Sequence, residues 1–178
     1  MKKFESDKEL IEGCLKQDRL CQKALYEKFK LNMMGVCMRY TNSKEEAEDI
    51  LVEGFMKVFS SLQNYRYECS LKTWIYTIMV NNAITHFRKN SKMDYSYLDD
   101  LNIENEYATQ DITDEIFGVN NIMKIVQMMP PGYRVVFNLF AIEGYSHKEI
   151  AKELNISEST SKSQFLRARK WLMQRLEK

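Results

Sequence analysis

The sequence predicts an all-α chain of two small helical domains, residues 1–90 and 119–178, joined by a flexible acidic linker over 91–118. Three observations carry this. Gly (6) and Pro (2) are too scarce in 178 residues for the many turns of a β sandwich or barrel, whereas Leu, Lys, Glu and Met (11) are plentiful. Apolar residues recur at helical spacing in segment after segment. Charge is segmented beneath a net of only +1: residues 66–90 carry +3, 91–118 carry −7 and 145–178 carry +4. The −7 stretch lacks helical periodicity and is rich in Asp, Asn, Ser and Thr, which marks a tether. A ~60-residue C-terminal unit buries only ~60% of its unfolded surface, so marginal stability is expected.

In chain order, Asp7 is placed to cap a first helix through Gln17, with Leu10, Ile11, Cys14 and Leu15 inward. A second helix is expected from Arg19 to Tyr40, burying Ala24, Leu25, Phe29, Met33, Val36 and Cys37. The third opens on a capping box, Ser43 with Glu46, and buries Ala47, Ile50, Leu51, Gly54, Phe55, Val58, Phe59 and Leu62. Its opposite face carries Glu45, Glu46, Asp49, Glu53 and Lys57, which alone describes a solvated face. The fourth helix, capped by Ser70, has Leu71, Trp74, Ile75, Ile78 and Met79 as a core stripe. Tyr76, Val80, Ala83 and Phe87 make its other side apolar as well. Such a helix is either buried or touches something flat. The preceding Tyr65-Arg66-Tyr67-Glu68-Cys69 sets tyrosines around an arginine, a pattern that suits unstacked bases, although the aromatics could equally be core.

Beyond the tether, Asn120 or Asn121 starts a helix that Pro130 and Pro131 end. Gly132–Ile142 is the next, with Val135, Val136, Leu139, Phe140 and Ile142 inward and Gly144 past its end. Ser146 and Glu149 form a second capping box, opening a short helix with Ile150, Ala151 and Leu154 inward. Asn155 and Ile156 make a turn, and Ser157 caps a last helix with Thr160, Phe165, Ala168, Leu172 and Leu176 inward. Short helix, short turn and longer second helix constitute a helix-turn-helix, whose second helix enters the major groove. Glu158, Ser159, Lys162, Ser163, Leu166 and Arg167 are the outward set there. Arg169, Lys170 and Arg175 lie behind, placed for phosphates. The alternative is an ordinary helical hairpin with basic residues at its C-terminal dipole.

Several classes are excluded. No apolar run approaches the ~20 residues of a membrane span, and the first residues lack a secretory core, so a cytoplasmic location is expected. Cys14, Cys21, Cys37 and Cys69 form no CxxC pair and lack histidine neighbours, so neither a disulfide framework nor a metal is expected. No phosphate loop, HExxH, GxSxG or paired-carboxylate site occurs, and the two histidines, His86 and His147, have no catalytic setting. The chain is expected to be no enzyme, with no cofactor and no small-molecule substrate.

Glu46-Ala47-Glu48-Asp49-Ile50-Leu51-Val52-Glu53-Gly54-Phe55 and the run from Thr73-Trp74 to Asn81-Asn82-Ala83 resemble region 2 of extracytoplasmic-function (ECF) sigma factors of bacterial RNA polymerase. Met129–Phe137, Glu143–Ala151 and Lys162-Ser163 through Arg167-Ala168-Arg169 resemble region 4. The resemblance implies a sigma factor of the sigma-70 family that directs promoter recognition and DNA melting. Asp49, Glu53 and Lys57 would meet the β′ clamp coiled coil of the polymerase, with the β flap a further contact. Tyr65, Arg66, Tyr67, Ser70, Lys72, Tyr76 and Asn81 would serve the −10 element. Glu158, Ser159, Lys162, Ser163, Leu166 and Arg167 would read the −35 element. The family often has Gln at Val52, and Val and Arg at Ser161 and Gln164; the last two departures are expected to shift sequence preference. An anti-sigma factor is a further implied partner, and the acidic tether a nucleic-acid mimic in the polymerase channel. The competing expectation is a helix-turn-helix regulator that works without joining polymerase.

Overall fold

The computed structural model describes residues 6–91 and 119–176; the acidic tether expected over 91–118 lies outside them, apart from Ser91. Among the described residues every regular element is helical. The chain divides into two compact units, Met1–Met38 with Ser43–Ala83, and Arg39–Asn42 with Ile84–Lys178.

In the first unit α1 spans Asp7–Leu15, α2 Arg19–Met38, α3 Lys44–Ser61 and α4 Leu71–Ser91, with a 3-10 turn at Leu62–Asn64 and the unit boundary inside α4. Ser6, not Asp7, caps α1: its hydroxyl accepts the Glu9 N–H at 3.3 Å. Asp7, one residue further on, pairs instead with Lys28 at 2.5 Å. Leu15 is exposed rather than inward, because it lies about 140° round the helix from Leu10. The second helix stops at Met38, two residues before Tyr40, and Cys21 rather than Ala24 fills its first buried position. Ser43 caps α3 by accepting from the Glu46 N–H at 3.2 Å, and the hydroxyl donates to the Glu45 carboxylate at 2.8 Å.

Gly54 of α3 lies against Met79 of α4. A Cβ there would lie 2.3 Å from the Met79 sulfur, so any larger residue requires the Met79 side chain to shift. Three residues along α4, the buried Asn82 amide donates to the Ile50 carbonyl at 2.8 Å and accepts from the Lys57 ammonium. The apolar residues on the second side of α4 are accounted for by burial rather than by a flat partner. Val80 and Ala83 are in the core beside Ile75 and Met79, and Tyr76 is half-buried. Each large side chain so buried contributes ~1.5–3 kcal/mol.

In the second unit α5 spans Val119–Gln127, α6 Pro131–Phe137, α7 His147–Leu154 and α8 Glu158–Leu176. Pro131 does not merely end α5; it occupies the first turn of α6, where its missing N–H has no partner to lose. Arg134, itself buried, donates to the Gln127 carbonyl at 2.5 Å and so satisfies the open end of α5. The helix expected to run to Ile142 widens into a π turn over Asn138–Ile142, with the Glu143 N–H reaching back five residues to the Asn138 carbonyl at 3.0 Å. The widening breaks the 3.6-residue phase after Leu139, which is why Phe140 and Ile142 are exposed while Val135, Val136 and Leu139 are buried. Gly144 then reverses the chain at φ +78°.

The capping box of α7 is complete. Ser146 Oγ accepts the Glu149 N–H at 3.3 Å, and Glu149 Oε2 accepts the Ser146 N–H at 2.8 Å. Asn155 closes the helix in the left-handed region (φ 55°, ψ 47°), and Ser157 caps α8 by accepting the Thr160 N–H at 2.9 Å. The inward stripe of α8 is Ser161, Gln164 and Ala168, of which only Ala168 was expected. Thr160, Phe165 and Leu172 are half-buried flanks, and Leu176 is exposed. Val126, Met129 and Ala168 form the centre of this core, with Phe137, Trp171 and Leu172 packed around it.

Candidate nucleic-acid and polymerase interfaces

Three surfaces collect the residues singled out by sequence. The first is the exposed face of α3. Asp49, Glu53 and Lys57 follow one another at four-residue spacing, so they share a face, and all three are exposed. Lys57 is not a free cation, since its ammonium is bonded to Asn82 of α4. Between the acidic side chains stand Val52 (52% exposed) and Met56 (67% exposed). An apolar pair inside an anionic rim is the composition of a protein-docking site, in which apolar anchors supply most of the binding energy and the rim steers. Met56 escaped the sequence reading, and its signal was a large apolar residue on the charged side of an amphipathic helix.

The second surface joins the loop before α4 to one stripe of that helix. Tyr65 is the hub. Its ring lies 4.6 Å from that of Tyr67 and 5.3 Å from that of Trp74, and its hydroxyl donates to the Cys69 carbonyl at 2.6 Å. Burial is the main cause that raises its phenol above the usual value, so the group stays neutral near pH 7. Tyr67 holds a left-handed backbone (φ 61°) with its ring 57% exposed. Ser70 caps α4 by accepting the Thr73 N–H at 3.1 Å. Trp74 therefore belongs to the aromatic cluster as well as to the core stripe first expected.

From Trp74, Asn81 lies seven residues on, about 10 Å along the axis and only ~20° round it. Asn81 is exposed, as are Thr73 and Thr77 of the same stripe. Aromatic faces, hydroxyls and one amide thus follow each other along about three stacked-base spacings. Arg66 is exposed in the loop beside them. Lys72 and Tyr76 are not part of this line. They stand about 180° and about 140° round the helix from Asn81.

The third surface is the outward side of α8. Glu158, Ser159, Lys162, Ser163 and Leu166 are exposed, and Arg167 is half-buried at the edge. Leu166 is 66% exposed in the middle of the set, where an apolar side chain suits a thymine methyl group. Lys162 and Glu158 are bonded to each other at 2.7 Å. That ammonium is the main cause holding the Glu158 carboxyl below its usual range, with His147 and Lys148 adding smaller pulls. Arg169 and Lys170 are exposed one turn further on. Arg175 is engaged, its guanidinium lying 3.6 Å over the Trp171 ring. Ser161 and Gln164 face away from this surface and are buried, so neither side chain is placed to touch a base.

No helix among the described residues is long and apolar enough to cross a membrane, and no cluster of three or more His, Cys, Asp or Glu among them is placed to hold a metal ion. Burial pushes the Cys14 thiol up to about 11, which keeps it protonated and unreactive near neutral pH.

Residues 25–93 match sigma-70 region 2 and residues 120–172 match sigma-70 region 4. The RNA polymerase sigma-H factor of Pseudomonas aeruginosa is 28% identical over 177 residues, covering 93% of this chain and 91% of that one. The ECF RNA polymerase sigma factor SigM of Mycobacterium tuberculosis is 23% identical over 164 residues, covering 92% and 81%. A solved complex of the sigma factor RpoE with the anti-sigma factor NepR from Bartonella quintana aligns over 87% of this chain and 98% of that one, at 20% identity and a TM-score of 0.49. With both conserved regions matched in order, and relatives aligned along nearly the whole chain, the protein belongs to the ECF class of the sigma-70 family of bacterial RNA polymerase sigma factors.

Proposed function

We propose that this ECF sigma factor divides promoter recognition and DNA melting among the three surfaces described above. The α3 face engages the polymerase core through Val52 and Met56 as anchors, with Asp49 and Glu53 as the charged rim; the β′ clamp coiled coil is its target. The loop at Tyr65–Ser70 and the Trp74–Asn81 stripe hold bases extruded from the −10 element. Opening costs a few kcal/mol per unstacked base, and stacking returns ~1–3 kcal/mol per base when the ring faces are already arranged. The outward side of α8 reads the −35 element, with Lys162, Ser163 and Leu166 at base edges and Arg169 and Lys170 on phosphates.

The observation that carries this assignment is the alignment of Tyr67, Tyr65, Trp74 and Asn81 along one side of the first unit. A regulator that binds duplex alone has no use for such a line. Promoter recognition and melting require no catalytic group of the chain, because sigma factors are initiation factors and bond formation belongs to the core enzyme. The protein acts where the polymerase is, in the cytoplasm. An anti-sigma factor that covers the α3 face or α8 restrains it, and the −7 charge of residues 91–118 lets the tether take the place of nucleic acid in the polymerase channel.

Run-off transcription with purified core enzyme and a library of AT-rich promoters tests the assignment. Discrete start sites that depend on this chain support it. Duplex binding without any chain-dependent transcript favours the free-standing regulator instead.

A further inference from the structure

His147 stands at the first turn of α7, and its ring is held by both the π turn and α8. Its imidazole stacks on Phe140 of the π turn, with centroids 4.4 Å apart and planes at 15°, and meets Phe165 of α8 edge-on at 5.8 Å. Phe140 and Phe165 touch each other at 4.4 Å, so the ring is clamped between two elements. Its Nδ1 lies 2.9 Å from Ser161 Oγ, a hydroxyl in a residue with 0% exposure on the inward side of α8.

Helical geometry gives this bond a consequence. Counted at ~100° per residue from Ser161, Glu158, Lys162, Leu166, Ser159 and Ser163 fall between about 60° and about 200°, turned away from it round α8. The inward side is carried by Ser161, Gln164 and Ala168, with no large apolar side chain among them. A roll of ~15° moves a side-chain tip ~6 Å from the axis by ~1.5 Å, which takes a hydrogen bond to a base edge out of range. A directional bond on the inward side, its donor and acceptor both held, removes that freedom.

We propose that His147 is a positioning residue that sets the roll of α8 through Ser161 and thereby sets base preference at the −35 element. It contacts no base itself. The proposal rests on α8 being the base-reading helix, and the experiment separates the two.

The full chain with core enzyme is used to transcribe a promoter library randomised over the −35 window. His147→Phe keeps the aromatic clamp and removes Nδ1; Ser161→Ala removes the partner hydroxyl. Each is expected to flatten the base preference 5- to 10-fold while the salt slope of promoter binding and the melting temperature stay close to the parent. The double variant is expected to be no worse than either single one, since both remove the same bond. His147→Asn, which returns a polar group at the Nδ1 position, is expected to recover part of the preference. If His147→Phe and Ser161→Ala keep the parental preference, or lose output equally at every sequence, the positioning role is overturned. If the parent chain itself shows no base preference in that window, α8 is not the reader and the assignment beneath the proposal fails.

Discussion

Replacing Tyr67 by alanine isolates the melting surface from the rest of the molecule. The ring is 57% exposed and contacts Tyr65 at 4.6 Å, so its loss removes an outer stacking face while the Tyr65–Trp74 pair and the Tyr65–Cys69 hydrogen bond remain. The backbone at this position is left-handed (φ 61°), a conformation that tyrosine and alanine tolerate about equally, so the substitution adds little strain. One base stacked on one ring is worth ~1–3 kcal/mol, which sets the expected fall in the open-complex equilibrium at roughly 5- to 150-fold. The assay is 2-aminopurine fluorescence at −10 in holoenzyme–promoter complexes, beside anisotropy titration of the labelled chain with core enzyme. Tyr67→Phe is expected to stay within about twofold of the parent, because the ring face is kept. Parental melting by Tyr67→Ala would refute the role given to this ring. A parallel loss of core affinity would show instead that the loop serves docking.

Four further outcomes follow from the geometry. Met56→Glu places a charge at the apolar centre of the α3 face and is expected to weaken core binding by roughly 10-fold or more. The melting temperature should hardly change, since the side chain is 67% exposed; titration and calorimetry check the two. Lys162→Ala removes the 2.7 Å partner of Glu158 and leaves that carboxylate facing DNA, so −35-dependent initiation is expected to fall. Salt titration then tells a phosphate contact, which lowers the slope by ~1, from a base contact, which lowers discrimination at one position. Gly54→Ala forces the fully buried Met79 side chain to shift, since the new methyl group would otherwise lie 2.3 Å from its sulfur. Overpacking of ~1–3 kcal/mol then outweighs a helix-propensity gain of ~1 kcal/mol, and thermal melting should show the net loss. The Ser146 hydroxyl and N–H hold the Glu149 carboxyl below its usual 4.5, so the capping box supports the fold above that pH and is lost as pH falls through the lowered value. Glu149→Gln should lower stability at neutral pH and flatten the decline seen as pH falls below 4.5 in calorimetric scans.

Local chemistry made most of the helices legible. The Ser146–Glu149 box, the αL Asn155 and the Gly144 reversal depend on one or two residues and a backbone rule, and each is found where the spacing puts it. The inward stripe of α3 is equally direct, because period alone identifies Ala47, Ile50, Leu51, Phe55 and Val58. The misreadings share a cause, which is tertiary context that period cannot see. A single π turn rotated Phe140 and Ile142 outward, although their spacing continued the apolar pattern. In α8 a close crossing admitted only Ser161, Gln164 and Ala168, so larger apolar residues nearby were left as flanks. The second apolar side of α4 left burial and a flat partner both open, and burial decides it: Val80 and Ala83 lie in the core, with Gly54 opening the space for Met79 and a buried Asn82 tying the two helices. Of the −10 residues named from sequence, Tyr65, Tyr67 and Asn81 fall on one line. Lys72 and Tyr76 do not, since their helical phase differs by about half a turn.

Permanganate footprinting of a promoter selected by this chain bears on the whole scheme at once. With the full chain and core enzyme together, thymines in the −10 element should become reactive, and with core enzyme alone they should stay protected. Failure of the pair to associate at low salt, or a complex whose −10 thymines remain unreactive, would contradict a factor that both boards the polymerase and pries strands apart.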